Sequence, residues 1–186
     1  MRTPKGKRYC SSAARLYQYL LGLAMVPCPH CGRIGYLIGH GFLRGYAENG
    51  QEQVIRGRRF FCSNRYRRRG CGGTFSVLLA DMLRGFMVRA RTLWNFLQGV
   101  SEGLSRKASW EKAQTDFSLQ SGYRIWRKFN QAQTHIRAFL SRLCPPPASL
   151  SAEPLTQLLA HLKCAFPSET CPFAGFQSHF QHSLLP

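Results

Sequence analysis

Cys28-Pro-His-Cys31-Gly32 holds two thiols two residues apart and ends on a glycine, and Cys62 and Cys71-Gly72 repeat the theme with eight residues between the thiols. Thiolates are preferred ligands of structural zinc, and two such pairs on either side of a strand-rich segment can supply the four corners of a tetrahedral site. Gly32 accepts the positive φ that turns backbone N–H groups toward the sulfurs. Four unligated buried cysteines, or a single C-x-x-C redox pair, are the competing readings. The redox pair requires a βαβ setting that the sequence does not offer. His30 and His40 are candidate substitute ligands. Cys164, Cys171, His179 and His182 follow one another in an order loosely like a second zinc site. One zinc ion is therefore expected, and a second is a candidate.

Charge is the other chemistry on offer. The 186 residues carry a net charge of +18, and it is unevenly placed. Lys163 is the only lysine or arginine after Cys144, against Glu153 and Glu169. The positive field thus belongs to the first three quarters of the chain and attracts polyanions, nucleic acid before membrane. Lys5, Lys7 and Arg8 form an N-terminal basic arm, Arg58 and Arg59 lie in a strand-like run, and Arg65, Arg67, Arg68 and Arg69 fill the gap between Cys62 and Cys71.

These groups need elements to hold them, and the expected fold class is α+β. Residues 1–25 read as the basic arm and a short helix opened by Ser11 or Ser12, with Leu16, Leu20 and Leu23 on one face. Residues 26–77 read as a small antiparallel zinc ribbon built on the four cysteines, since "VIRGRRFFC" and "GTFSVL" have strand composition. A sheet that small needs a metal to hold it. From about Leu78 the apolar spacing turns helical, and residues 78–143 read as three helices with a long third one starting near Ser121. "CPPPAS" ends it. Residues 144–186 read as a proline linker and C-terminal tail with one further helix, an apolar-aromatic patch and no clear pattern in the last twenty residues.

Three helices, the last one basic and aromatic, fit a helix-turn-helix domain whose third helix offers its N-terminal side chains to a DNA major groove. Ser118, Gln120, Ser121, Tyr123, Arg124 and Arg127 are then best placed for bases or phosphates, with Lys128 touching backbone; Trp126 and Phe129 fall on the apolar stripe and read as core. "CPHCG", the glycine-rich stretch after it, "GRRFFCSNRYRRRGCGGTFS" and the following helices resemble the N-terminal region of insertion-sequence transposases and of related standalone DNA-binding regulators. The resemblance covers residues 26–143. It implies a four-cysteine zinc ribbon, with Cys28, Cys31, Cys62 and Cys71 as ligands and Phe61 and Phe75 as flanking aromatics, followed by a helix-turn-helix that binds DNA. The family's common form has two residues between the second pair of cysteines, where this chain has eight.

A zinc-dependent DNA-binding protein without a catalytic site of its own is the resulting expectation. Strand transfer needs carboxylates that hold two metals. Glu48, Glu52, Asp81, Glu102, Glu111, Asp116, Glu153 and Glu169 include none in a strand-like apolar run. An RNA-binding module or ribonucleoprotein subunit is one alternative. An assembly adaptor whose apolar tail takes a protein partner is another, and a homodimer is compatible with all three. No apolar run reaches the ~20 residues of a membrane span. Metal-like thiol spacing points to a reducing cytoplasm.

Overall fold

Ser12 sits in extended backbone and its hydroxyl accepts the Arg15 N–H at 3.2 Å, which opens α1 (Ala13–Leu21). In the computed structural model, which describes residues 7–48, 50–148 and 152–186, the chain is α+β, with a four-stranded sheet and six α-helices among the described residues. It divides into two units. One holds the chain up to Gly45 with Gln53–Leu79, and the other holds Tyr46–Glu52 with Ala80–Pro186.

The first unit carries β1 (Tyr9–Cys10), α1, a 3-10 turn at Leu23–Met25, and β2 (Leu37–Tyr46), β3 (Gln53–Cys62) and β4 (Thr74–Leu79) in the order β1-β4-β3-β2. Strands β3 and β4 pair antiparallel, with Phe60 opposite Phe75 and Arg58 opposite Val77. Period two then sends Phe60, Phe75 and Val77 to one face, where Phe60 stacks on Phe75 at 5.3 Å and meets Tyr19 of α1 edge-on at 5.4 Å. Leu16, Leu23, Cys28, Leu37 and Cys62 belong to the same small core. The expected all-antiparallel ribbon needs correcting. Tyr9 and Cys10, read from sequence as part of a basic arm, add a parallel strand along β4, and both are buried. Two residues carry too little alternation to register as a strand; only the free edge of β4 recruits them.

The second unit is helical: α2 (Ala90–Ser101), α3 (Arg106–Lys112), α4 (Leu119–Leu140), α5 (Pro154–Ala165) and α6 (Pro172–Phe180). Leu93, Phe96 and Leu97 of α2, Ile125, Phe129, Ile136 and Leu140 of α4, Leu158 and Leu162 of α5, and Phe173 and Phe176 of α6 share one core. The start of the helical region also needs correcting. Leu78 and Leu79 end β4, and helix begins only at Ala90. Between them Gly85 adopts φ +77° and Met82 bridges to Arg89, so the apolar residues Met82, Leu83 and Val88 are buried from a folded loop rather than from a helix face. No side chain of its own caps α2. Glu48 does so instead, accepting the Arg89 N–H at 2.7 Å and the Thr92 hydroxyl at 2.8 Å, so a carboxylate faces the positive end of the helix.

The patternless C-terminus forms α6 and then buries Leu184 and Leu185 in the same core. Fully buried Gln177 donates to the carbonyls of Ala80 and Met82 at 2.7 and 3.1 Å and accepts the Leu184 N–H at 3.1 Å. Phe173 and Phe176 are buried in that core, and Phe180 packs against it.

Candidate metal centre and basic loop

Cys28 and Cys31 follow the 3-10 turn, Cys62 ends β3, and Cys71 lies just before β4. Their four sulfurs all lie within 4.8 Å of one another, an arrangement that could hold a metal ion. Two of the separations, Cys28 to Cys71 and Cys31 to Cys62, are 3.8 Å. That is far beyond a disulfide bond, and all eight cysteines are free. Four thiolates held about 2.3 Å from one tetrahedral ion stand about 3.8 Å apart.

The first pair is a tight knuckle. The Gly32 N–H bonds the Cys28 carbonyl at 2.8 Å, the Cys28 N–H bonds the Arg33 carbonyl at 2.9 Å, and Gly32 takes φ +72°. The second pair has the same wiring despite its longer spacing. The Gly72 N–H bonds the Cys62 carbonyl at 2.9 Å, the Cys62 N–H bonds the Gly73 carbonyl at 2.9 Å, and Gly72 takes φ +76°. Cys71, Gly72 and Gly73 therefore play the parts of Cys31, Gly32 and Arg33. Only Ser63 and Gly70 remain inside the knuckle proper, joined by a 3.0 Å bond from the Gly70 N–H to the Ser63 carbonyl. Residues 64–69 are looped out between them. The eight-residue gap is a two-residue knuckle carrying a six-residue basic insertion. Gly70 is required at the pinch, because a Cβ there would lie 2.2 Å from the Ser63 oxygen.

Backbone donors point at the sulfurs: the His30 N–H at Cys28 (3.4 Å), the Cys71 N–H at Cys62 (3.3 Å) and the Gly73 N–H at Cys71 (3.4 Å). The Arg33 N–H lowers the Cys31 thiol to about 7, whereas burial raises Cys28 and pushes Cys62 up to about 12. A cation would reverse that burial penalty, since thiols that cannot ionise alone ionise against a metal.

The other candidate ligands fall elsewhere. The His30 ring contacts the Thr74 carbonyl at 3.0 Å, and His40 packs 5.8 Å from the Phe61 ring. Cys164, Cys171, His179 and His182 do not gather, and Cys28, Cys31, Cys62 and Cys71 are the only such group that could hold a metal among the described residues. Cys171 is buried at the start of α6, Cys164 is exposed, His179 packs on Phe166 and Phe180, and His182 packs on His135 and Phe139. Spacing alone suggested that second site, and α6, which separates the cysteines from His182, disperses it.

Among the acids, Asp81 pairs with Arg89 at 3.5 Å, Glu102 pairs with Lys112 at 3.5 Å, and Glu153 caps α5 through Thr156. No helix of the described residues is long and apolar enough to cross a membrane.

Lys5 lies outside the described residues; Lys7 and Arg8 are exposed just before β1. Arg58 is packed over the Phe42 ring at 4.5 Å and against Gly39, so it belongs as much to the sheet as to its surface; Arg59 is exposed. Arg65 lies over the Phe61 ring at 5.4 Å, and Arg67, Arg68 and Arg69 are exposed. The Arg33 guanidinium donates to the Arg69 carbonyl and ties the loop back to the first knuckle. In the helical unit Ser118 precedes α4, and Gln120, Tyr123, Arg124 and Arg127 are exposed along its first turns, with Ser121 and Lys128 half-buried. Arg106 of α3 lies 5.4 Å over the Tyr123 ring and 5.7 Å over that of Trp126. Tyr66 went unnoticed in the sequence; a lone aromatic inside an arginine run is the signal that could have found it.

Comparison with protein-family models, curated proteins and solved structures finds no match to this chain.

Proposed function

We propose that the chain is a zinc-dependent DNA-binding protein, transposase-related or regulatory, without a catalytic site of its own. The observation that carries this reading is the second knuckle, which grips an arginine-rich loop at both ends beside four convergent thiols. Clamping the ends lowers the entropy that the loop loses when it closes on a phosphate backbone. Sulfur separations of 3.8 Å suit zinc among the metals that thiolates favour. On this reading α3, the turn after it and α4 form a helix-turn-helix. Gln120, Tyr123, Arg124 and Arg127 then face the DNA, and Lys7, Arg8 and the loop arginines neutralise phosphates.

The experiment combines metal and DNA. Protein purified without chelator is assayed for zinc per chain, then titrated with duplex DNA at several salt concentrations, with structured RNA of equal length as competitor. One zinc per chain is expected, with log K falling against log salt by about 0.9 per phosphate neutralised. Replacing Arg67, Arg68 and Arg69 with alanine keeps the zinc and weakens DNA binding, whereas Cys71→Ser loses both. A salt slope near zero overturns the DNA reading, and preferential capture by RNA replaces it with the ribonucleoprotein one.

A further inference from the structure

Residues 65–68 form a tight turn at the tip of the loop, closed by the Arg68 N–H on the Arg65 carbonyl at 3.1 Å. Both central residues have positive φ, Tyr66 at 52° and Arg67 at 63°. That is the type I′ geometry, for which Asn-Gly is the unstrained choice. Tyr-Arg is not what the turn itself selects. The geometry also lifts the Tyr66 side chain clear of the protein, leaving it 95% exposed, the most exposed large apolar side chain among the described residues. Next to it in the chain, the Arg65 guanidinium lies over the Phe61 ring, which His40 also meets. Arg67, Arg68 and Arg69 stand exposed on the same loop.

From this arrangement we infer that Tyr66 is a stacking residue for an unpaired nucleobase, so that the loop prefers DNA with a gap, bulge or single-stranded end over uninterrupted duplex. The inference rests on the DNA-binding reading above and gives its basic loop a ligand. In a nucleotide a flat base and a charged phosphate sit one sugar apart; in the loop a bare aromatic ring and a guanidinium sit one residue apart. Guanidinium groups alone would account for grip on any phosphate backbone, and an exposed ring adds nothing to that. Stacking does use the ring, and it tolerates all four bases because each has a π-face. Inside an uninterrupted duplex both faces of every base are covered, so reaching one costs unstacking. At a gap or end a face is already open. A ring on a protruding, metal-anchored turn can reach such a face without rearranging the sheet beneath it.

The test uses the full chain with its metal and two probes of equal length, an intact duplex and the same duplex with a three-nucleotide gap carrying 2-aminopurine. Tyr66→Phe and Tyr66→Ala are compared with the native chain after equal metal content is verified. The native chain and Tyr66→Phe are expected to bind the gapped probe about tenfold more tightly than the intact one and to quench its 2-aminopurine. Tyr66→Ala is expected to lose both the preference and the quenching while holding intact duplex within about twofold of the native chain. Equal binding of both probes by the native chain, or a preference that survives in Tyr66→Ala, overturns the inference and leaves the DNA-binding reading standing. Failure of the native chain to bind either probe overturns both.

Discussion

Gly70 shows how one missing side chain permits the four thiols to converge. Its N–H closes the base of the basic loop on Ser63, and a Cβ would drive into the Ser63 carbonyl at 2.2 Å and the Cys62 carbonyl carbon at 2.8 Å. Opening that pinch moves Cys62 and Cys71 apart, so Gly70→Ala should weaken metal binding by about tenfold or more, the range found when groups that orient ligands are lost. Competition against a chromophoric chelator measures it. Gly22→Ala, whose new Cβ would meet only Gln18 at an ordinary 3.7 Å, should leave the affinity unchanged. In the helical unit, His135 packs 4.7 Å from His182, and its pKa is lowered first by desolvation, then by His182 and Arg142. Phe139 is the other ring against it, at 4.7 Å. A histidine whose folded pKa lies below its unfolded value stabilises the fold above the unfolded value, and that stability is lost as pH falls through the folded one. Thermal melts between about pH 7.5 and 5 should therefore show stability falling toward the acid end, with a shallower fall in His135→Gln.

At the scale of elements, α3 and α4 are held by a glycine against a tryptophan. A Cβ on Gly122 would come within 2.8 Å of the Trp110 ring, whose Nε1–H is itself committed to the Phe117 carbonyl at 3.0 Å. The ring cannot retreat without breaking that bond, so Gly122→Ala should cost about 1–3 kcal/mol through overpacking. Urea denaturation followed by tryptophan fluorescence gives the value, and a neutral or stabilising result would refute this account of the contact. The turn between these helices supplies the Phe117 carbonyl that accepts the Trp110 Nε1–H, and α4 begins just after it at Leu119.

At the scale of the molecule, each unit has its own core but the two cores differ in substance. The helical unit buries Phe96, Phe129, Phe173 and Phe176 with a full set of aliphatic side chains, while the sheet unit buries little beyond Phe60, Val77 and the leucines and thiols around them. A metal bound by four thiolates contributes on the order of 10 kcal/mol in small sites, enough to decide whether such a sheet folds. A chelator should therefore abolish amide protection in β3 and β4 while α2 and α4 keep theirs, as read by hydrogen exchange. Equal protection with and without chelator would show that the sheet stands without metal.

Cysteine pairs, the charge imbalance and the 3.6-residue stripe of α4 were legible in the sequence because each is a local pattern: residue type and spacing suffice to state it. The α+β class followed from the same patterns. What the tertiary structure decided was long-range. The sheet is mixed because a two-residue segment found the open edge of β4, and α2 starts late because Gly85 turns the chain and Glu48 caps the helix from forty-one positions upstream of Arg89. The tail became core because Gln177 found carbonyls at Ala80 and Met82 that nothing near it in sequence reveals. The eight-residue gap between Cys62 and Cys71 is the sharpest case. Spacing could count the residues, but only the backbone hydrogen bonds separate the two that belong to the knuckle from the six that belong to the loop, since a pinch between Ser63 and Gly70 depends on where the chain returns and not on which residues it contains.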